Sequence, residues 1–343
     1  MSPRSTGATG RGQAPCHHGE ILQGVFRDGS GRPCPGLVTL PMAGPGSSAV
    51  FTIRPGTDPQ APTVAPAGRT NAARAAALAV AECARRAGLP PCGGELRLAG
   101  DIPAGLGMGS STSDVIAAVR AVADAYGTRL PAGAVARIAA RAAGPACDPL
   151  VPDGRPVLFA QREGRVLEVL GTALPPLLVV GCDLGGGAPA DTLALPVREA
   201  GEADVRAWER LRALLRRAVA AQDARLLGAV ATARARRGER VVGHPEFEAL
   251  AAVARRVGAV GVQIAHSGAV AGVLFDAGRA AALGLPYQVR GCLDALEAHG
   301  IPAARIFTTP GVRARACASF SPSHPAAELL WTSTSRSRQA TRT

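Results

Sequence analysis

The residues best placed to do chemistry lie in one run, Pro103-Ala104-Gly105-Leu106-Gly107-Met108-Gly109-Ser110-Ser111-Thr112-Ser113-Asp114. Three glycines alternate and two serines follow. Larger apolar residues then recur at Val115, Ile116, Val119, Val122 and Tyr126, a spacing that predicts one face of an amphipathic helix, with Gly127 as its stop. Glycines let a backbone turn tightly and approach a ligand closely. The helix behind them points unpaired N–H groups and a partial positive charge into the loop, which suits an anion, phosphate above all. A Gly-rich turn capped by Ser or Thr is the alternative that the local pattern leaves open.

The commoner phosphate loops do not fit. A P-loop needs a lysine after its glycines. The chain has no lysine at all, so its 38 Lys+Arg positions are all arginine. That absence also removes lysine-dependent protein kinases and Schiff-base enzymes. The dinucleotide fingerprint G-x-G-x-x-G fails because Ser110 stands where its third glycine belongs.

Three further stretches carry chemical residues. Ala14-Pro15-Cys16-His17-His18-Gly19-Glu20-Ile21-Leu22-Gln23-Gly24 offers thiol, imidazole and carboxylate, in a spacing that matches no usual zinc pattern. Asp183-Leu184-Gly185-Gly186-Gly187 and the following Asp191-Thr192-Leu193 read equally as a glycine turn with a capping aspartate. Gly261 to Phe275 is an apolar strand, a small-residue turn through Ala265-His266-Ser267-Gly268, and a second apolar strand.

Taken together these stretches resemble the GHMP kinases, whose phosphate loop has the form P-x-x-x-G-[LM]-G-S-S. The run Gly107 to Asp114, the segment Cys16-x-x-Gly19-Glu20-x-x-Gln23-Gly24 and Ala265-His266-Ser267-Gly268 are most similar to one branch, the L-threonine kinases associated with cobalamin nucleotide-loop assembly. The resemblance implies an ATP- and Mg²⁺-dependent phosphotransferase acting on a small alcohol, L-threonine or a similar hydroxy amino acid. It implies nucleotide contacts from Pro103, Gly105, Leu106, Gly107, Met108, Gly109, Ser110, Ser111 and Thr112. Ser111, or Ser110, would ligate Mg²⁺. Glu20, Gln23, Asp183, His266, Ser267 and Gly268 would face the acceptor. The family's acidic residue falls at Asp148, as catalytic base or metal ligand, with Asp153 in reserve. The family pattern also has a glutamate near Asp148, and no Glu occurs between Tyr126 and Arg162. Which arginines meet phosphate is left open, with Arg69 and Arg74, near the start of a long helix, as candidates.

The implied fold class is α+β, a two-domain GHMP kinase fold. Its parts would be an N-terminal ATP-binding domain over 14–172, like ribosomal protein S5 domain 2, and a C-terminal ferredoxin-like α/β sandwich over 173–318. Residues 1–13, polar and glycine-rich, read as disordered, and 319–343 as a flexible tail. Between them the pattern predicts strands at Leu37–Pro41 and Ala49–Ile53 separated by a turn, and helices at Thr70–Ala87 and Ala132–Ala143. It predicts strands at Pro156–Ala160 and Leu177–Asp183, and one or two helices over Glu202–Arg240 whose arginines read as a solvated face.

A chain of 343 residues, 47% hydrophobic, has material for two cores and no apolar run long enough for a bilayer. The N-terminus lacks the apolar stretch of a secretory signal, and eight scattered cysteines make no C-x-x-C pair. These features predict a cytoplasmic protein with reduced thiols and no membrane partner, monomer or homodimer. The net charge of +12 raises nucleic acid as a partner, but 3% aromatic content leaves few stacking platforms and the arginines are dispersed. A kinase for another alcohol such as homoserine, a non-catalytic nucleotide-binding protein and a basic interaction protein remain as alternatives.

Overall fold

The first two strands form a long antiparallel hairpin, β1 (Thr9–Arg27) with β2 (Pro33–Ile53), paired from Thr9 opposite Thr52 to Arg27 opposite Pro33. The structure is a computed structural model and describes residues 7–100, 108–144, 155–184, 201–242, 245–265, 270–278 and 284–312. Two sequence expectations change at this hairpin. Residues 9–13, expected to be disordered, are the first residues of β1, and the expected turn between Pro41 and Ala49 lies inside β2.

The reason for the first change lies in α2 (Ser110–Ala125), on which β1 rests. A Cβ built on Gly12 would stand 2.1 Å from the Ala117 carbonyl oxygen and 2.5 Å from the Ala121 nitrogen; one built on Gly10 would stand 2.1 Å from the Ala125 nitrogen. The glycines that look like disorder in composition are what lets a strand lie directly on a helix backbone. The helix answers with alanine at positions 117, 121 and 125, all buried. As a result α2 is not the one-sided helix its larger residues suggest: all but three of its sixteen residues are buried. It is clasped between the strands and two further helices, α1 (Thr70–Ala87) and α3 (Ala132–Ala143), which end where the sequence predicts.

Around that core, β3 (Thr63–Ala65), α1 and β4 (Gly94–Gly100) form a β-α-β unit with β3 parallel to β4, and β4 pairs antiparallel to β2. A short hairpin of β5 (Val157–Ala160) and β6 (Arg165–Val169) adds to the other end of β2.

The second half runs β7 (Leu177–Asp183), α4 (Glu202–Ala221), α5 (Ala224–Val242), α6 (Phe247–Arg256), β8 (Gly261–Ile264), β9 (Val270–Asp276), α7 (Leu285–Ala298) and β10 (Ala303–Thr308). Its sheet order is β10-β7-β9-β8, antiparallel throughout, the split β-α-β-β-α-β arrangement expected of a ferredoxin-like sandwich. Thr308 of β10 pairs with Ala43 of β2 and so joins the two sheets. One apolar core is shared: Ile21, Leu22 and Leu40 pack with Val179, Leu227, Leu274 and Phe307. The fold is α+β, as expected.

Candidate functional site

Of the phosphate-loop residues, Met108, Gly109, Ser110, Ser111 and Thr112 lie in the described part; Pro103, Gly105, Leu106 and Gly107 lie outside it. Gly109 precedes α2 with φ +68°, a left-handed conformation that non-glycine residues adopt at a cost. Its carbonyl accepts from Ser113 N–H at 2.9 Å, closing the first helical turn. No side chain caps this end. Ser110 and Thr112 are buried, while Ser111 is exposed and its hydroxyl accepts from Asn71 Nδ2 at 3.2 Å.

The helix start is locked from three sides. Ser113 Oγ accepts from Ser47 N–H and donates to the Ala14 carbonyl, each at 2.9 Å, tying α2 to β2 and β1. Asp114 accepts a hydrogen bond from Ser47 Oγ and pairs with Arg69 at 3.0 Å. Of the two arginines considered for phosphate, Arg69 is thus held at the start of α2 with its charge compensated. Arg74 instead donates to the Arg141 carbonyl at 3.4 Å, at the end of α3.

The first strand meets the loop at His17. Its N–H donates to the Met108 carbonyl at 3.3 Å, and a Cβ on Gly109 would lie 2.2 Å from His17 Nε2. This contact depends on irregular pairing: the register of β1 against β2 shifts between Pro15 and His17, His17 and Glu20, and Glu20 and Leu22. Every residue from Cys16 to Leu22 is buried, polar ones included, and neighbouring side chains serve different surroundings.

His18 enters the second sheet. Its Nε2 lies 3.3 Å from Arg305 Nη1 and its Nδ1 3.1 Å from Gln263 Oε1. Arginine can only donate, so Nε2 accepts, and Nδ1 carries the proton and donates to Gln263. Arg305 also donates to Asp183 Oδ1 at 2.9 Å, and Phe307 lies against the His18 ring at 4.9 Å between centroids. Complete burial, aided by the Arg305 charge, pushes the His18 pKa from 6.5 down to about 3, against the opposing hydrogen bond to Gln263.

A pH dependence follows from that value. The unfolded chain takes up the proton near 6.5 and the folded chain only near 3. The contribution of neutral His18 is therefore fully present above pH 6.5 and is lost as the pH falls, by up to roughly tenfold in the folding equilibrium per pH unit. Urea midpoints between pH 6.5 and 5, where most carboxylates stay ionised, should fall for the parent and stay flatter in His18→Gln. Equal slopes in the two proteins would refute the assignment.

Glu20 and Gln23 come together on one partner, Arg234 of α5. Its Nη2 donates to Gln23 Oε1 and lies 3.5 Å from Glu20 Oε2, and its Nη1 donates to the Ile264 carbonyl. The structure thus brings Glu20 and Gln23 together on Arg234, and Asp183 and His18 together on Arg305. His266, Ser267, Gly268, Asp148, Asp153 and Asp191 lie outside the described residues.

Sequence reasoning missed Arg234, Arg305, His18 and Gln263. For Arg234 a signal exists: Leu227, Val230, Arg234 follow the i, i+3, i+7 spacing of an apolar stripe, with one charge inside it. The expectation that arginines of 202–240 form a solvated face therefore fails for Arg234, and also for Arg212, which is buried against Glu168 at 2.7 Å and Glu209 at 3.0 Å.

Among the described residues no three His, Cys, Asp or Glu side chains gather as a metal-binding group, and no helix is long and apolar enough to cross a membrane. His17 and His18 turn toward different neighbours, the Met108–Gly109 end of the loop and the Arg305–Gln263 pair. Cys16, Cys34, Cys83, Cys92, Cys182 and Cys292 are free thiols, and burial raises the pKa of Cys16, Cys83 and Cys292 to about 12.

Residues 71–148 match the family model of the GHMP kinases N terminal domain. No curated protein matches the chain in sequence. Among solved structures, a homoserine kinase from Cytophaga hutchinsonii is similar at 16% identity and a TM-score of 0.64, over 90% of this chain and 96% of that one. A mevalonate kinase of L. major in complex with R-mevalonate is similar at 18% identity and a TM-score of 0.59, over 91% of this chain and 99% of its own. A mevalonate diphosphate decarboxylase from Enterococcus faecalis is similar at 15% identity and a TM-score of 0.59, over 89% and 98%. At these identities the likeness is one of fold.

Proposed function

We propose that this chain is an ATP-dependent small-molecule kinase of the GHMP type and that its acceptor is a free hydroxy amino acid, most specifically L-threonine. The reaction is direct transfer. The bond from Pγ to the bridging oxygen of ATP breaks, a bond from Pγ to the side-chain hydroxyl oxygen forms, and the hydroxyl proton passes to a base, for which Asp148 is the candidate. The products are ADP and O-phospho-L-threonine.

One observation carries this reading. Strand β1 meets the N-terminal end of α2 at His17, through Met108 and Gly109, and the same strand carries the candidate acceptor residues Glu20 and Gln23. The α2 end offers its first N–H groups and its dipole to the phosphates. Further along β1, Glu20, paired with Arg234, is the carboxylate that would meet the acceptor's ammonium. Gln23, whose carbonyl oxygen is turned to Arg234, keeps its amide N–H groups for an oxygen of the acceptor. The motif variants shared with the L-threonine kinase branch favour threonine among the alcohols.

Mg²⁺ fits the exposed hydroxyl of Ser111, because this ion takes few protein oxygens and keeps water and phosphate oxygens as its other ligands. Ser111 would hold it, with Asp148 as the second candidate. When bound, the ion neutralises charge on the transferring phosphoryl group. Positioning and charge neutralisation supply most of the rate in such transfers, and a general base adds about 10²–10⁴-fold. Asp148→Asn is therefore expected to lower kcat by about that factor, and Ser111→Ala to raise the Mg²⁺ concentration needed for half-maximal rate. Unchanged turnover in both variants would remove these residues from the mechanism.

The acceptor is tested with a panel of L-threonine, L-serine, L-homoserine and mevalonate. ADP release is followed for each, and the phosphorylated product is identified by mass spectrometry. Threonine is expected to give the highest kcat/KM. A higher value with homoserine would move the assignment to that alcohol, the substrate named for one structural neighbour. ATP binding without turnover on any acceptor would overturn the kinase reading.

A further inference from the structure

Arg234 sits where physical chemistry disfavours a charge. Its neighbours along the α5 stripe, Leu227, Val230, Ala231 and Ala235, are fully buried, and Arg234 itself is 6% exposed. Taking a guanidinium out of water costs several kcal/mol, and an apolar residue of similar volume usually serves stability as well or better. The rigid fork of donors is what a leucine or methionine could not supply. That fork reaches three acceptors from two distant segments: Glu20 and Gln23 of β1, and the carbonyl of Ile264 at the end of β8.

The place it grips is also where the backbone specifies least. Between Pro15 and Leu22 the ladder of β1 against β2 shifts register three times, so regular strand pairing does not fix the direction of the Glu20 side chain. Gly19, with φ +64°, adds a second irregularity, and a Cβ built on it would stand 2.1 Å from Gln263 Nε2. The opposite end of the same stretch is held by the second buried arginine, Arg305, through His18. Helix α5 and strand β10 thus bracket the irregular segment from the second half of the molecule.

We infer that Arg234 is a positioning residue for the acceptor: it orients Glu20 and Gln23 and sets them relative to the end of β8, two residues before His266. The inference rests on the proposed kinase reading for its kinetic consequence and on geometry alone for its structural one. Glu20, Gln23 and Ile264, the partners that carry the inference, belong to the acceptor side of the proposed site, so the effect is expected on the acceptor.

The test uses the full chain with Arg234→Lys, which keeps a buried cation but replaces a planar fork by a single ammonium, and Arg234→Met. In Arg234→Lys the KM for L-threonine is expected to rise about 10- to 100-fold, the scale of a misplaced substrate, with the KM for ATP within about twofold of the parent. Glu20→Gln in the Arg234→Lys background should add little further, because both changes disturb one contact. Hydrogen exchange should accelerate in peptides covering 16–24 and 260–265 and stay unchanged in those covering α2. If both KM values move together, or exchange rises evenly along the chain, Arg234 is a structural residue only and the inference falls. Should Arg234→Met not fold, Arg234→Lys carries the comparison. Should the parent phosphorylate no amino acid, the acceptor assignment fails by itself and the exchange pattern alone decides the role of Arg234.

Discussion

Gly109→Val is expected to lower kcat/KM for ATP by at least about 10²-fold while leaving most of the fold intact. Two effects add at this position. A non-glycine residue at φ +68° carries about 1–2 kcal/mol of strain, more for a β-branched side chain. The new Cβ would also meet the His17 ring at 2.2 Å, and that ring is confined by a buried strand. Either the α2 end or the first strand must shift, and both line the site. Gly109→Ala tests the division of the two effects. Adding His17→Ala to it should restore part of the lost melting temperature by removing the clash and leaving only the strain. If the double variant is no more stable than Gly109→Ala, the contact between strand and loop is not what makes this glycine necessary.

The second large effect is on stability. Gly12→Val is expected to cost at least about 3 kcal/mol, the upper end of overpacking, because its side chain would enter the α2 backbone and not a movable side chain. That is a large share of the roughly 5–15 kcal/mol by which a domain is usually stable. Urea denaturation gives the number, and Gly29→Ala is the control, since nothing lies within 4 Å of the added methyl and its φ is not in the left-handed range. A loss below about 1 kcal/mol for Gly12→Val would mean that strand and helix separate easily, against the close packing described above.

Much of the architecture was legible because its signals are local. Helix α1 is a run of alanine and apolar residues ended by Gly88 in the left-handed conformation, and the predicted boundaries are the observed ones. Strand β7 reads as continuous apolar residues because both of its faces are covered. The start of α2 was legible for a similar reason: glycine ahead of an apolar period predicts a helix beginning there, and α2 begins at Ser110.

What failed to show did so for identifiable reasons. Residues 9–13 look disordered by composition, and only the presence of α2 turns Gly10 and Gly12 into packing residues. The middle of β2 looks like a turn because Gly44, Pro45 and Gly46 are turn residues. There β2 changes partners, from β1 at Pro41 to β10 at Ala43 and back to β1 at Gly46. The polar half of the site was hidden most deeply. Arg234 and Arg305 are two among 38 arginines, and what distinguishes them is burial against a segment 214 and 287 residues earlier, which no local pattern encodes.

That separation has a consequence for how the molecule is made. The stretch Cys16 to Gly24 leaves the ribosome long before residues 234, 263 and 305, which bond its polar side chains. Until β10 has emerged, the nascent chain holds a histidine, a carboxylate and an amide in a half-built apolar core, and Thr308 has not yet tied the second sheet to the first. Loop closure over such distances makes assembly slow relative to local helix formation. Synthesis of the last described strand is therefore the step that completes the first one, and a chain released shortly before Arg305 has most of its length and an unfinished beginning.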